Sequence, residues 1–138
     1  MTRTIILDNE PVQALMSVQH PRHAKALAQM QVVASRKKKA LPLEVVVPTA
    51  VRVEAGWDRT ASTAAFINLL GIADAPLDTA ATNVAAAIRL ALGVSITDAH
   101  VGAMITALAA TGSVTVVSSD PDDMRAVAGT SEVIVVAI

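Results

Sequence analysis

The chain contains no cysteine and no tyrosine, and its only large aromatic rings are Trp57 and Phe66. Without cysteine there is no disulfide, no thiolate-ligated zinc and no thiol nucleophile. Aromatics make up 1% of a composition that is 53% hydrophobic. The core must therefore be built from Ala, Val, Leu, Ile and Met, and ring stacking cannot be the main grip on a nucleic acid. No uncharged apolar run reaches the roughly 18 residues of a membrane span. The longest candidate, 79–101, is interrupted by Arg89, Asp98 and His100. No glycine-rich turn follows the first β-rich run, which sets aside a dinucleotide-binding domain. Neither H-E-x-x-H nor G-x-S-x-G occurs, so zinc-protease and serine-hydrolase chemistry are also set aside. No lysine follows Lys39. A phospho-receiver domain, which would want one at the end of its last strand, ranks low for that reason.

What is present is one domain, 1–138, by its length. A chain of this size buries roughly two thirds of the surface it exposes when unfolded. The formal net charge of −1 argues against strong non-specific affinity for nucleic acid. The charge is unevenly spread, however. All the lysines lie at or before Lys39, whereas most carboxylates come after it. Met1-Thr2-Arg3 leads directly into a β-rich run with no signal peptide before it. The expectation is a soluble cytoplasmic protein with no membrane segment.

Apolar patterning predicts an alternation of strands and helices. Strands are expected over 3–8, 43–47, 72–77, 113–117 and 132–137. Pro11 suits the first turn of a helix running to Val18. A second helix is expected over 22–38, with Ala24, Leu27, Ala28 and Met30 on one side. Others are expected from Thr49 to Gly56, from Ser62 to Gly71, from Thr79 to Gly93, over 99–110 with Gly112 after it, and over 121–128. Ser95 to Asp98 is expected as a loop. The order predicts an α/β fold: a three-layer α/β/α sandwich around a central parallel sheet of four to five strands.

Four acids recur just past a strand or at the start of the next helix: Asp8, Glu54, Asp98 and Asp120. Parallel sheets bind ligands beyond the carboxyl ends of their strands. Carboxylates gathered there would need a compensating cation, and Mg²⁺ prefers oxygen ligands. Each acid taken singly has an ordinary explanation. Asp8, Asp98 and Asp120 could cap helices, and Glu54 could be solvated. Only a shared site makes the four significant.

The motifs Ile5-Ile6-Leu7-Asp8, Val51-Arg52-Val53-Glu54, Ile96-Thr97-Asp98-Ala99-His100-Val101-Gly102-Ala103 and Val116-Val117-Ser118-Ser119-Asp120-Pro121-Asp122-Asp123-Met124 resemble, in order and spacing, those of the PIN-domain nucleases. The likeness is greatest to the VapC-type toxins of bacterial toxin–antitoxin pairs, and it spans the whole chain. It implies a PIN-like fold and Mg²⁺- or Mn²⁺-dependent hydrolysis of RNA. It also implies Asp8, Glu54, Asp98 and Asp120 as the catalytic quartet. Asp8, Asp98 and Asp120 would hold the metal, and Glu54 would complete a second metal site or orient the attacking water. Ser118 would be a supporting hydroxyl. Asn9 stands where the family has Thr or Ser and can still donate to a carboxylate. Asp122 and Asp123 fall where some members keep a further acid, Asp122 being the expected supporting one, and Glu10 adds a negative charge near the site. The resemblance further implies an antitoxin partner and a homodimer.

RNA would require positive charge around this acidic centre. The candidates are Arg22, Lys25 and the run Arg36, Lys37, Lys38 and Lys39, with Arg52 and Arg59 beside Glu54. The lysine run could equally be a solvated helix end. His20, His23 and His100 lack metal-ligand spacing, and His100 is expected packed or at the site rim. Trp57 is expected either in the core or as an interface anchor, with the core favoured. A reading from another class remains open: a catalytically weak PIN-like module that binds RNA or a protein.

Overall fold

A computed structural model describes residues 2–38 and 43–138. Five strands form one sheet: β1 (Thr2–Leu7), β2 (Leu43–Pro48), β3 (Ala73–Ala75), β4 (Gly112–Ser118) and β5 (Ile134–Ala137). All neighbours are parallel, in the order β3-β2-β1-β4-β5. The central strands are buried at Ile5, Ile6, Leu7, Val45, Val46 and Val47, and again at Val114, Val116 and Val117. Strands covered on both faces read as continuous apolar runs instead of alternating ones. This is the pattern that marked them in the sequence.

The helices are α1 (Asn9–Met16), α2 (His23–Lys38), α3 (Thr49–Ala55), α4 (Ala65–Asn68), α5 (Thr79–Leu92), α6 (Ile96–Ala109) and α7 (Pro121–Ala128). A 3₁₀ turn, Ser62–Ala64, precedes α4. Ile5, Leu7 and Val117 share one sheet face with Leu15 of α1 and Met30 of α2. By the two-residue period of a strand, Ile6, Val114 and Val116 point to the other face, where α6 packs on β2 and β4. The result is the expected α/β/α sandwich.

Three local expectations are corrected. The buried stripe of α2 is Ala26, Met30 and Val33, whereas Ala24 and Ala28 are exposed. Alanines fit either environment, so they did not mark the face. Helix α6 starts at Ile96, three residues early. Gly112 does not follow a helix that reaches Ala110 but opens β4 opposite Thr2. A side chain there would collide with the Thr2 carbonyl, so glycine is required by close approach of two strands and not by a turn.

Trp57 is buried, as expected, and its indole N–H donates to Asn68 Oδ1 at 3.0 Å. Arg59 lies 4.3 Å from the ring centroid and Arg52 at 5.5 Å. Both guanidinium groups bond the Asp74 carboxylate at 2.8 Å. Trp57, Arg52, Arg59 and Asp74 thus pin the end of α3 to β3, and that edge fixes the position of Glu54.

Gly102 brings α6 against α7. A Cβ at this position would lie 2.9 Å from Val127 Cβ and its carbonyl, and 3.0 Å from Ile88. Gly102→Ala should therefore destabilise the fold by about 1–3 kcal/mol, the usual range for overpacking, despite the better helix propensity of alanine. Equilibrium urea unfolding checks it. Among the described residues no single helix is long and apolar enough to cross a membrane, and the apolar pair α5 and α6 is bent by 119°.

Candidate active site

The chain runs outward from β1 to β2 and β3, then returns to β4 and β5 on the other side. The direction reverses between β1 and β4, and a ligand crevice is expected at the carboxyl end of such a switch point. Asp8 follows β1 there, its backbone N–H donating to the Val117 carbonyl at 3.1 Å. Asp120 follows β4. Asp98 comes from the first turn of α6, and Glu54 from the last turn of α3.

The ordinary explanation for each acid can now be checked. Asp8 and Asp120 occupy the cap positions of α1 and α7, yet neither side chain accepts a capping hydrogen bond. Asp98 is not a cap. Ser95 caps α6 by accepting from the Asp98 backbone N–H at 3.0 Å, leaving the Asp98 carboxylate free. Glu54 sits at the carboxyl end of α3, where the helix dipole disfavours an acid. Asp78 shows what capping looks like in this protein: its Oδ1 accepts from Ala81 N at 2.9 Å.

All four carboxylates line one depression of about 230 Å³. Asn9, Glu10, Ser95 and Ser119 complete its wall. Asp8 is innermost and 7% exposed. Ser118, fully buried, donates its hydroxyl to Asp8 Oδ2 at 2.8 Å and accepts the Asp120 N–H at 2.9 Å. Asn9 donates to Glu54 Oε1 at 3.2 Å and accepts from Gln13 at 3.1 Å.

Burial raises the Asp8 carboxyl above its usual range. Hydrogen bonds from the Asn9 backbone and Ser118 oppose this, while the charges of Glu54 and Asp120 add to it. Asp98 is pushed up to about 6, first by burial and then by Asp8, Asp123, Glu54 and Asp120. The pocket is therefore short of positive charge. Among the described residues, no group of three or more Asp, Glu or His side chains is placed to hold a metal ion. The acids stand around an open pocket.

The remaining candidates divide. Asp122 does not face the pocket. Its side chain is 99% exposed and pairs with Arg125 at 3.6 Å. The next position on α7, about 100° further round the helix, is the one whose charge reaches Asp98, namely Asp123. Arg22 bonds Glu10 on the pocket wall. Lys25 is exposed on α2. Arg36 shares a groove with Arg3, Leu43 and Ser113, at the amino-terminal ends of the strands and so at the edge opposite the acids. Lys39 and the side chains of Lys37 and Lys38 lie outside the described residues. Arg52 and Arg59 are taken up by Asp74 and Trp57. His100 is wholly buried, accepts the Ala50 N–H at Nδ1, and has an unpartnered Nε2. Ser95 and Ser119 were not anticipated as wall residues. Ser95 was discoverable, since Ser-Ile-Thr-Asp before an apolar helical run is a capping-box signature.

By sequence the chain matches no family model, and no curated protein is significantly similar to it. By structure it superimposes on a chain of VapBC2 from Rickettsia felis, crystallised bound to a DNA fragment from their promoter. The TM-score is 0.62, covering 97% of this chain and 98% of that one. The fold is PIN-like. Identity across this match is 11%, so the likeness is one of fold.

Proposed function

We propose that the protein is a metal-dependent endoribonuclease acting as the toxin of a toxin–antitoxin pair. The observation that carries this reading is that four acids from four separate segments line one pocket at the switch point, and none of them is used to cap a helix. The donor set consists of hard oxygens, which suit Mg²⁺ or Mn²⁺. Burial first, and then the neighbouring carboxylates, raise the proton affinities of Asp8 and Asp98, and a bound cation would offset that cost.

Asp8, Asp98 and Asp120 would hold the metal. When bound, it would acidify a water molecule and polarise a phosphodiester. Ser118 keeps the Asp8 carboxylate oriented and ionisable. Glu54, tethered by Asn9, would orient the attacking water or complete a second metal site. No side chain acts as a covalent nucleophile. RNA is the proposed substrate. A cognate antitoxin is the proposed partner, by analogy with VapBC2. A homodimer is also proposed, and a contact through α5 would cover Leu90, which is 90% exposed. The proposed location is the cytoplasm.

One observation favours a second reading, a catalytically weak PIN-like module that binds RNA or protein: among the described residues no group of three or more Asp, Glu or His side chains is placed to hold a metal ion. A single experiment separates the two. The purified protein is incubated with total RNA in Mn²⁺ or Mg²⁺, with EDTA as control. Discrete metal-dependent cleavage products are expected. Intact RNA at every metal concentration, with RNA still bound, would favour the weak module.

A further inference from the structure

We propose that Arg22 is the phosphate-positioning residue of this site, held at the pocket rim by Glu10 and His20. The inference rests on the nuclease reading and deepens it. A polyanion approaching a wall made of carboxylates needs a fixed cation close by. Glu10 belongs to that wall, and its Oε1 takes Arg22 Nη1 at 3.3 Å and His20 Nε2 at 2.9 Å. His20 Nδ1 accepts the Arg22 backbone N–H at 3.0 Å, so its proton sits on Nε2 and points at Glu10. The loop is thereby tied to the pocket from both ends of one imidazole.

Glu10 therefore does not contribute bare negative charge to the site, because two donors already engage it. The Arg22 guanidinium uses one nitrogen for Glu10, and its side chain is 42% exposed. A planar fork with free donors matches a phosphate far better than a point charge does. Three other arginines are committed elsewhere: Arg52 and Arg59 to Asp74, and Arg89 to the Val94 carbonyl. A shallow depression lined by Gln13, Met16, Ser17, Gln19, His20 and Ala55 lies along the same loop. Gln13 bonds Asn9 of the acidic wall, so neutral hydrogen-bonding groups continue outward from the acids. A single RNA strand would leave the metal pocket along this track, with the phosphate next to the cleaved one on Arg22.

The test uses the full chain carrying Asp98→Asn, which should slow cleavage by on the order of 10²–10³-fold, and a short single-stranded oligoribonucleotide in Mn²⁺. Affinity is measured across a salt series. Arg22→Ala should weaken binding about tenfold, the scale of one charge-assisted hydrogen bond. It should also flatten the slope of log affinity against log salt by about 0.7, one phosphate contact on a single strand. Arg22→Lys should restore the slope but only part of the affinity. Arg3→Ala removes the same charge at the opposite end of β1 and should change neither. In the cleaving protein, Arg22→Ala should raise KM and leave kcat within about twofold, a change in binding alone. Affinity and slope unchanged in Arg22→Ala, with RNA still bound, would overturn the role of Arg22 and leave the nuclease reading standing. No RNA binding by any variant would overturn both.

Discussion

Asp98→Asn should make the metal-free protein more stable at pH 7 and should lower metal-dependent RNA cleavage by on the order of 10²–10³-fold, the scale on which removing one group that stabilises developing charge acts. The two effects have opposite signs because they share a cause. Ionised Asp98 is penalised first by its burial and then by the charges of Asp8, Asp123, Glu54 and Asp120. Asparagine keeps the shape and removes the repulsion. The pH dependence follows by linkage. The folded group titrates at about 6 against 3.8 for the free carboxyl, so between those values the native state binds more protons than the unfolded state. Stability from this group is greatest below 3.8, declines as pH rises through the window, and levels off above about 6.

His100 works the other way. Burial lowers its proton affinity, against the Pro76 carbonyl and Asp78, which favour the charged form. The unfolded histidine takes up a proton below pH 6.5 while the buried one resists, so this contribution falls as pH falls. The two slopes oppose each other in the wild type. The informative quantity is the difference in melting temperature between wild type and Asp98→Asn, which should be larger at pH 7 than at pH 4.5. Adding Mn²⁺ should stabilise the wild type, since a ligand that binds only the native state raises its stability, and should do so far less in the variant. A difference independent of both pH and metal would refute the electrostatic account of the pocket.

The sequence showed the strands because buried parallel strands are locally distinctive: Ile-Ile-Leu, Val-Val-Val and Val-Thr-Val-Val have few other uses. It showed the four acids because their place just past a strand, or opening a helix, is a local property too. It did not show the order of the strands. Parallel pairing of β1 with β4 joins residues about 110 positions apart, and no local pattern encodes that. The start of α6 was misjudged because Ser95, Thr97 and Asp98 all favour loops and caps alike, and the choice between them depends on which hydroxyl reaches which N–H. Arg52 and Arg59 looked free in the sequence because their partner, Asp74, arrives from β3. Glu10 looked like surplus charge for the same reason, since His20 and Arg22 reach it only after α1 has ended and the chain has turned. The side of α7 on which Asp122 falls was open to calculation from the helix period, but only once the helix was seated on the sheet.

Ser118→Ala should weaken metal binding by about tenfold to a hundredfold, the range for groups that orient a ligand without touching the metal, and should destabilise the fold by about 1–3 kcal/mol. Ser118 is fully buried, so no water replaces its hydroxyl. The substitution strands two groups at once: Asp8 Oδ2 loses a donor, and the Asp120 N–H loses its acceptor. The Asp8 carboxyl, already raised by burial, loses one of the two hydrogen bonds that lower it, so its proton affinity rises further. A metal must displace that proton, and its affinity should then fall more steeply with acidity. Isothermal titration with Mn²⁺ between pH 6 and 8 would measure the effect, with the gap between the two proteins widest at the acid end. The acid limb of the cleavage profile should move to higher pH in the variant. If affinity drops equally at all pH values, Ser118 positions the Asp120 loop without tuning Asp8. If affinity does not drop, the Asp8 carboxylate is not a metal ligand and the proposed site must be redrawn around Asp98.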